Sequence, residues 1–279
     1  MPIPQTVEVH HHSAEVEYVN WNMAEQELRA FLLATARGMA PWFEERKVEA
    51  EKIFDRINPE EAYGDEGYSA FMDDVGIFWD QYWQQMAAVT IKEAFKLFEV
   101  FLEASAQHIL RRYHSGLVDF STDNSWNFND CARFYKDYLS VEVLPRNISN
   151  IKWIRDKLSH LEDIRTPTGI AQLESHMSDL ALDISPTEEE IELGLYHDDW
   201  TPYMGTRLNF TPVQTWRVLQ ILRSHTNQLA KTFHTFCWPG PSEQTTQELW
   251  SLMHGIAVNP RLSSKKPGDS RYLVIPTPS

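Results

Sequence analysis

Within six consecutive positions the chain places Arg155, Asp156, Lys157 and His160, in the order Arg155-Asp156-Lys157-Leu158-Ser159-His160. A guanidinium is permanently charged and can clamp a phosphate through two parallel hydrogen bonds. An imidazole titrates near neutrality and can take up or release a proton. Together they suit phosphodiester cleavage without a metal ion. Arg111, Arg112, Arg146 and Asn147 lie upstream and add groups that a phosphate backbone could meet. The same segment has a structural reading, in which Arg155, Asp156 and Lys157 form a solvated face while Leu158 packs inward. Five positions on an ideal helix separate two side chains by about 140°, so Arg155 and His160 do not share a face of one straight helix. A working site then needs local distortion or a second copy of the chain.

Other chemistries find no support in the residue pattern. The chain has no Gly-x-Ser-x-Gly elbow, no His-Glu-x-x-His helix, no Walker-type lysine loop and no glycine-rich dinucleotide turn. Cys131 and Cys237 stand far apart with no Cys/His ligand set around either, which points to a reducing compartment. His10-His11-His12 is a contiguous triplet that cannot converge three imidazoles on one ion unaided. Glu93, Glu99 and Glu103 lack the Glu-x-x-His partners of a helical di-metal centre. No metal and no cofactor is expected. His108 recurs with Leu97, Phe101 and Ala104 at helical spacing and reads as a core or interface histidine. Phe78, Trp79, Tyr82 and Trp83 likewise read as core, not as a base-stacking platform. The runs Glu188-Glu189-Glu190 and His197-Asp198-Asp199 read as solvated faces or caps.

The formal net charge of −15 argues against a broad basic surface, so RNA would be gripped at a few Arg and Lys positions. Residues 1–9 show neither a basic nor an apolar signal segment, and no apolar run approaches the roughly 18–20 residues that span a bilayer. A cytoplasmic protein without a membrane span is the expectation.

The elements that must position these residues are helices. Apolar residues return at helical spacing over 23–57, where Pro41 predicts a kink or a new start, and over 68–114, a pattern broad enough for two helices or one long bent one. Further helices are predicted at 130–143, 151–164 with Asn147 or Ser149 as cap, 169–182 after Thr166-Pro167-Thr168, a short acidic one after Pro186-Thr187, 211–238 and 242–254. Strand-like residues occur only at 7–9 and 272–275. The chain divides into an N-terminal arm (1–22), a helical bundle (23–183), a C-terminal helical extension (184–258) and a basic, Pro-containing tail (259–279).

With Arg155, a polar Asp156, three variable positions and His160 on a late helix, preceded by a long core helix near 95–112, the segment resembles the HEPN superfamily of small all-α domains. The resemblance covers about residues 90–165. It implies an all-α helical bundle with a HEPN-like core and additional C-terminal helices. It also implies a homodimer whose two Arg/His sets line one cleft, and metal-independent endoribonuclease action in the toxin or antiviral-defence style of that superfamily. By that resemblance the ribose 2′-hydroxyl attacks the adjacent phosphate, His160 serves as general acid or base, Arg155 binds the phosphate and Asp156 orients one of them. Lys157, Arg146 and Asn147 would contact substrate, and an antitoxin or regulatory protein is a further expected partner. Where the family more often carries Asn after the arginine, this chain has Asp156, a carboxylate beside the phosphate.

The second reading, motivated by the acidic charge and the many aromatics, is a non-catalytic HEPN-like module for protein interaction or RNA binding.

Overall fold

Trp21, Glu25, Leu32 and Ala36 recur at i, i+4, i+11 and i+15, and all four are buried. They form the inward stripe of α1, His11–Ile57, which continues through Pro41. The helix begins at His11, well before the apolar pattern of the sequence predicts. Glu25 occupies a core position, and a carboxylate there hides the period from a reading based on apolar residues alone.

The structure, a computed structural model, describes residues 7–8, 11–57, 79–113, 128–160, 166–196, 210–235 and 237–238. Their order is β1 (Val7–Glu8), α1, α2 (Trp79–Tyr113), α3 (Phe128–Arg133) continuing as a π-helix (Phe134–Tyr138), α4 (Arg146–His160), α5 (Pro167–Asp179), α6 (Glu188–Glu192), α7 (Pro212–Thr235) and β2 (Cys237–Trp238). The fold is an all-α bundle. Among the described residues the only strands are the short antiparallel pair β1–β2, with Val7 opposite Trp238 and Glu8 opposite Cys237. Segments 58–78 and 114–127 and the elements expected at 242–254 and 272–275 lie outside the described residues, as do the side chains of Trp79, Tyr82, Trp83 and His108. No described helix is long and apolar enough to cross a membrane.

Local chemistry sets the later helix starts. Thr166 caps α5 by accepting the Gly169 N–H at 3.1 Å, with Pro167 in the first turn, where its missing N–H costs nothing. Thr187 and Glu190 close a reciprocal capping box on α6 at 3.2 and 2.8 Å. Thr211 and Gln214 do the same for α7 at 3.2 and 3.0 Å. Glu190 belongs to the acidic run but is buried, so it is a cap and not a solvated residue.

The chain forms two compact units, each discontinuous in sequence. One comprises Met1–Tyr18, Glu99–Val143 and Leu229–Ser279; the other comprises Val19–Phe98 and Leu144–Gln228. In the first, the π-turn places Tyr135 against Phe233, rings stacked at 5.1 Å, with Phe101 on Phe233 at 6.0 Å. In the second, α2 supplies Ile91, Phe95 and Phe98, and α4 supplies Ile148, Ile151 and Ile154, all fully buried. This second unit contains α4 and therefore the Arg155–His160 segment.

Candidate functional site

The backbone carbonyl of Pro145 accepts the Ser149 N–H at 2.9 Å, so α4 opens at Arg146 and not at residue 151. Neither expected cap acts as one. Ser149 Oγ donates to the Leu144 carbonyl at 3.1 Å, while Asn147 Oδ1 accepts the Ile148 N–H at 3.0 Å within the first turn. The inward stripe Ile148, Ile151, Ile154 and Leu158 then fixes the rotation of the helix. The earlier start brings Arg146 and Asn147 onto the same helix as Arg155, Asp156 and His160.

Arg155 follows Ile154 and lies along the edge of the buried stripe. Its guanidinium sits over the Phe95 ring of α2, with Cζ 4.8 Å from the ring centre. Its Nη1 donates to Asp156 Oδ1 at 2.9 Å, and the other oxygen of Asp156 accepts from Lys152 Nζ at 2.8 Å. One carboxylate thus bridges two cations, all three side chains between about a quarter and a third exposed. Ser159 Oγ donates to the Arg155 carbonyl at 2.8 Å. His160 is the last residue of α4; its side chain, like those of Arg111 and Arg112, lies outside the described residues.

A second polar face runs along the same helix. Arg146, Asn150, Trp153 and Lys157 stand at i, i+4, i+7 and i+11, a single stripe of α4, and position 160 continues it at i+14. The face meets α5. Arg146 Nε and Nη2 approach Asp179 Oδ2 at 2.9 and 2.8 Å, and Asn150 Nδ2 donates to the same oxygen at 3.0 Å. Trp153 packs its ring against the His176 imidazole, centroids 4.6 Å apart and tilted by 52°, and Lys157 Nζ lies 5.5 Å from the Trp153 ring centre. Burial holds the His176 imidazole below its ordinary range; Asp179 opposes that shift and the Arg146 charge adds to it.

The structure therefore separates the predicted residues into two groups. Arg155 and Asp156 belong to one face with Lys152, and Arg146 and Lys157 belong to the other. Sequence reasoning missed Lys152, Asn150, Trp153, His176 and Asp179. The four-residue stripe on α4 was a visible signal, but the pairing of His176 and Asp179 with it depends on the packing of α5 on α4.

A further charged cluster lies in the same unit. Glu25, 3% exposed, lies 3.4 Å from both Arg29 Nη1 and Arg223 Nη1, and Arg29 covers the Trp216 ring at 3.8 Å. Burial raises the Glu25 carboxyl despite both arginines. Among the described residues no group of three or more His, Cys, Asp or Glu could hold a metal ion. Compared with protein families, curated proteins and solved structures, the chain has no significant match.

Proposed function

We propose that the protein is a HEPN-like, metal-independent endoribonuclease acting as a homodimer, with Arg155 and His160 as its reacting pair. The observation that carries the reading is the Arg155–Asp156 ion pair at 2.9 Å, five residues before His160 on one helix. It supports the orienting role that the resemblance implies for Asp156, and the Phe95 ring limits the guanidinium further. Charge distribution adds support, since α4 carries four cationic residues and one carboxylate in a chain of net charge −15.

In this reading Arg155 holds the phosphate and stabilises the charge that builds on its oxygens. The 2′-hydroxyl oxygen bonds to phosphorus as its proton passes to a base. The bond from phosphorus to the 5′-oxygen breaks as that oxygen takes a proton from an acid. The products are a 2′,3′-cyclic phosphate and a 5′-hydroxyl. His160 supplies one of these proton transfers, and the 140° phase difference is met by the second copy's segment.

The test is cleavage of single-stranded RNA by the purified protein in EDTA, beside Arg155→Ala and His160→Ala. Both substitutions should abolish cyclic-phosphate product while leaving thermal stability within a few degrees. Equal cleavage by all three proteins would remove the assignment. The non-catalytic alternative draws on one observation, the sharing of Asp156 between Lys152 and Arg155, which offsets two charges a phosphate needs. It predicts no product with any RNA.

A further inference from the structure

The face of α4 that does not carry Arg155 holds a second set of cationic and polar groups, contributed by two helices of one unit. We infer that Arg146, Lys157 and His176 form a subsite that grips neighbouring backbone phosphates of single-stranded RNA, with Asp179 and Trp153 as its positioning residues. The choice of RNA as ligand rests on the ribonuclease reading; the geometry of the subsite does not.

Arg146 is oriented without being buried. Asp179 takes Nε and Nη2, which fixes the plane of the guanidinium, yet the side chain is 77% exposed and its Nη1 has no partner among the described residues. A guanidinium held at one edge and open at the other presents a preset donor pair to an anion. Asn150 donates to the same Asp179 oxygen, so Asp179 is held from two positions of α4.

His176 supplies the independent observation. Its Nδ1 is buried and has no hydrogen-bond partner, so it is not the nitrogen that faces solvent. The tilted contact with Trp153 fixes the ring, leaving Nε2 as the nitrogen that a ligand can meet. Lys157, 5.5 Å from the Trp153 ring centre, adds a cation on the same stripe.

The charged groups around His176 are Asp179 on its own helix and Arg146 on α4, with Lys157 beside the shared Trp153. Burial favours the neutral imidazole in the free protein. A phosphate between Arg146 and His176 favours the imidazolium, so binding takes up a proton and strengthens as pH falls.

The experiment measures affinity of the full chain for a single-stranded 2′-O-methyl RNA oligonucleotide, which lacks the attacking hydroxyl and is not cleaved. Fluorescence anisotropy at two pH values, about one unit either side of 7, and over a salt series gives both readouts. Arg146→Ala and Lys157→Ala should each reduce the slope of log affinity against log salt by about 0.7. His176→Gln should bind equally at both pH values, where the parent chain binds tighter at the lower one. Melting temperature checks that each variant is folded. An unchanged salt slope in Arg146→Ala together with a retained pH effect in His176→Gln would overturn the subsite, as would no binding by the parent chain. Loss of binding in these variants by a protein that cleaves no RNA in EDTA would leave the subsite standing and remove only the ribonuclease reading.

Discussion

Arg217 and Glu190 form a two-point ion pair in which every donor of the guanidinium is used. Nε and Nη2 donate to the two Glu190 oxygens at 2.8 and 2.7 Å. Nη1 donates to the carbonyls of Ala181 and Ile184 at 3.0 and 2.7 Å, and Nη2 also donates to Ser185 at 3.0 Å. Glu190 in turn closes the capping box of α6. One side chain of α7 thereby satisfies the backbone between α5 and α6, a stretch with no ladder of its own. Arg217→Ala should lower stability by about 3 kcal/mol, because it leaves the buried Glu190 carboxylate without its counter-ion. Arg217→Lys should recover only part of that, lacking the planar fork. Urea unfolding of the two variants against the parent gives the comparison.

Glu190 and Glu25 should pull the pH dependence of stability in opposite directions. Burial pushes the Glu190 carboxyl up, but hydrogen bonds from Arg217 and Thr187 outweigh it and leave the group below its ordinary 4.5. Its contribution is present above that value and is lost as pH falls through the depressed pKa. Glu25 is raised by burial, against Arg29 and Arg223, so its contribution is complete below 4.5 and is lost as pH rises through the raised pKa. Urea midpoints across the acidic range should therefore show Glu190→Gln flattening the curve below the ordinary glutamate value and Glu25→Gln flattening it above. A parallel displacement of the whole curve in both variants would contradict this.

Gly194 should resist substitution for two separable reasons. Its φ of +71° strains any residue with a Cβ, and a Cβ built there meets Arg37 Cγ at 2.9 Å. Arg37 Nε also donates to the neighbouring Leu193 carbonyl at 2.7 Å. Gly194→Ala should cost about 1–3 kcal/mol. Adding Arg37→Ala should relieve the steric part and leave the backbone part, a non-additivity that thermal denaturation of the cycle can measure.

Tyr135 of the π-turn donates to the Leu102 carbonyl at 2.7 Å and stacks on Phe233. Both aromatic residues are fully buried. Tyr135→Phe should cost about 1 kcal/mol, and Phe233→Ala about 3–5 kcal/mol, since it empties a packed site. Equal losses in the two variants, read from chemical denaturation, would show that the hydroxyl matters as much as the stack.

On the ribonuclease reading proposed above, Asp156→Ala tests whether orienting Arg155 matters more than the charge beside the phosphate. Removing the carboxylate should lower KM for RNA several-fold, since Lys152 and Arg155 are then no longer offset. It should also lower kcat, since the guanidinium loses its anchor. Steady-state cleavage kinetics read the split, and a fall in KM with kcat unchanged would reduce Asp156 to a charge mask.

Much of the fold was legible because it is local. Thr166-Pro167, Thr187 with Glu190, and Thr211-Pro212 with Gln214 announce helix starts through bonds that span three residues, and the structure has each of them. The apolar residues Val213, Trp216, Leu219 and Leu222 mark the inner face of α7 by spacing alone and are buried there. What the sequence could not decide is which polar residues face inward. Glu25 and Glu190 look like surface glutamates, yet both are buried and pair with Arg223 and Arg217 of α7. The site shows the same limit. Arg155, Asp156 and His160 are adjacent in sequence, but the packing of α4 assigns Arg155 to the Phe95 face and Arg146 and Lys157 to the α5 face. Hydrogen bonds to near neighbours are set by local order; the partner of a long charged side chain is set by the element that packs against it.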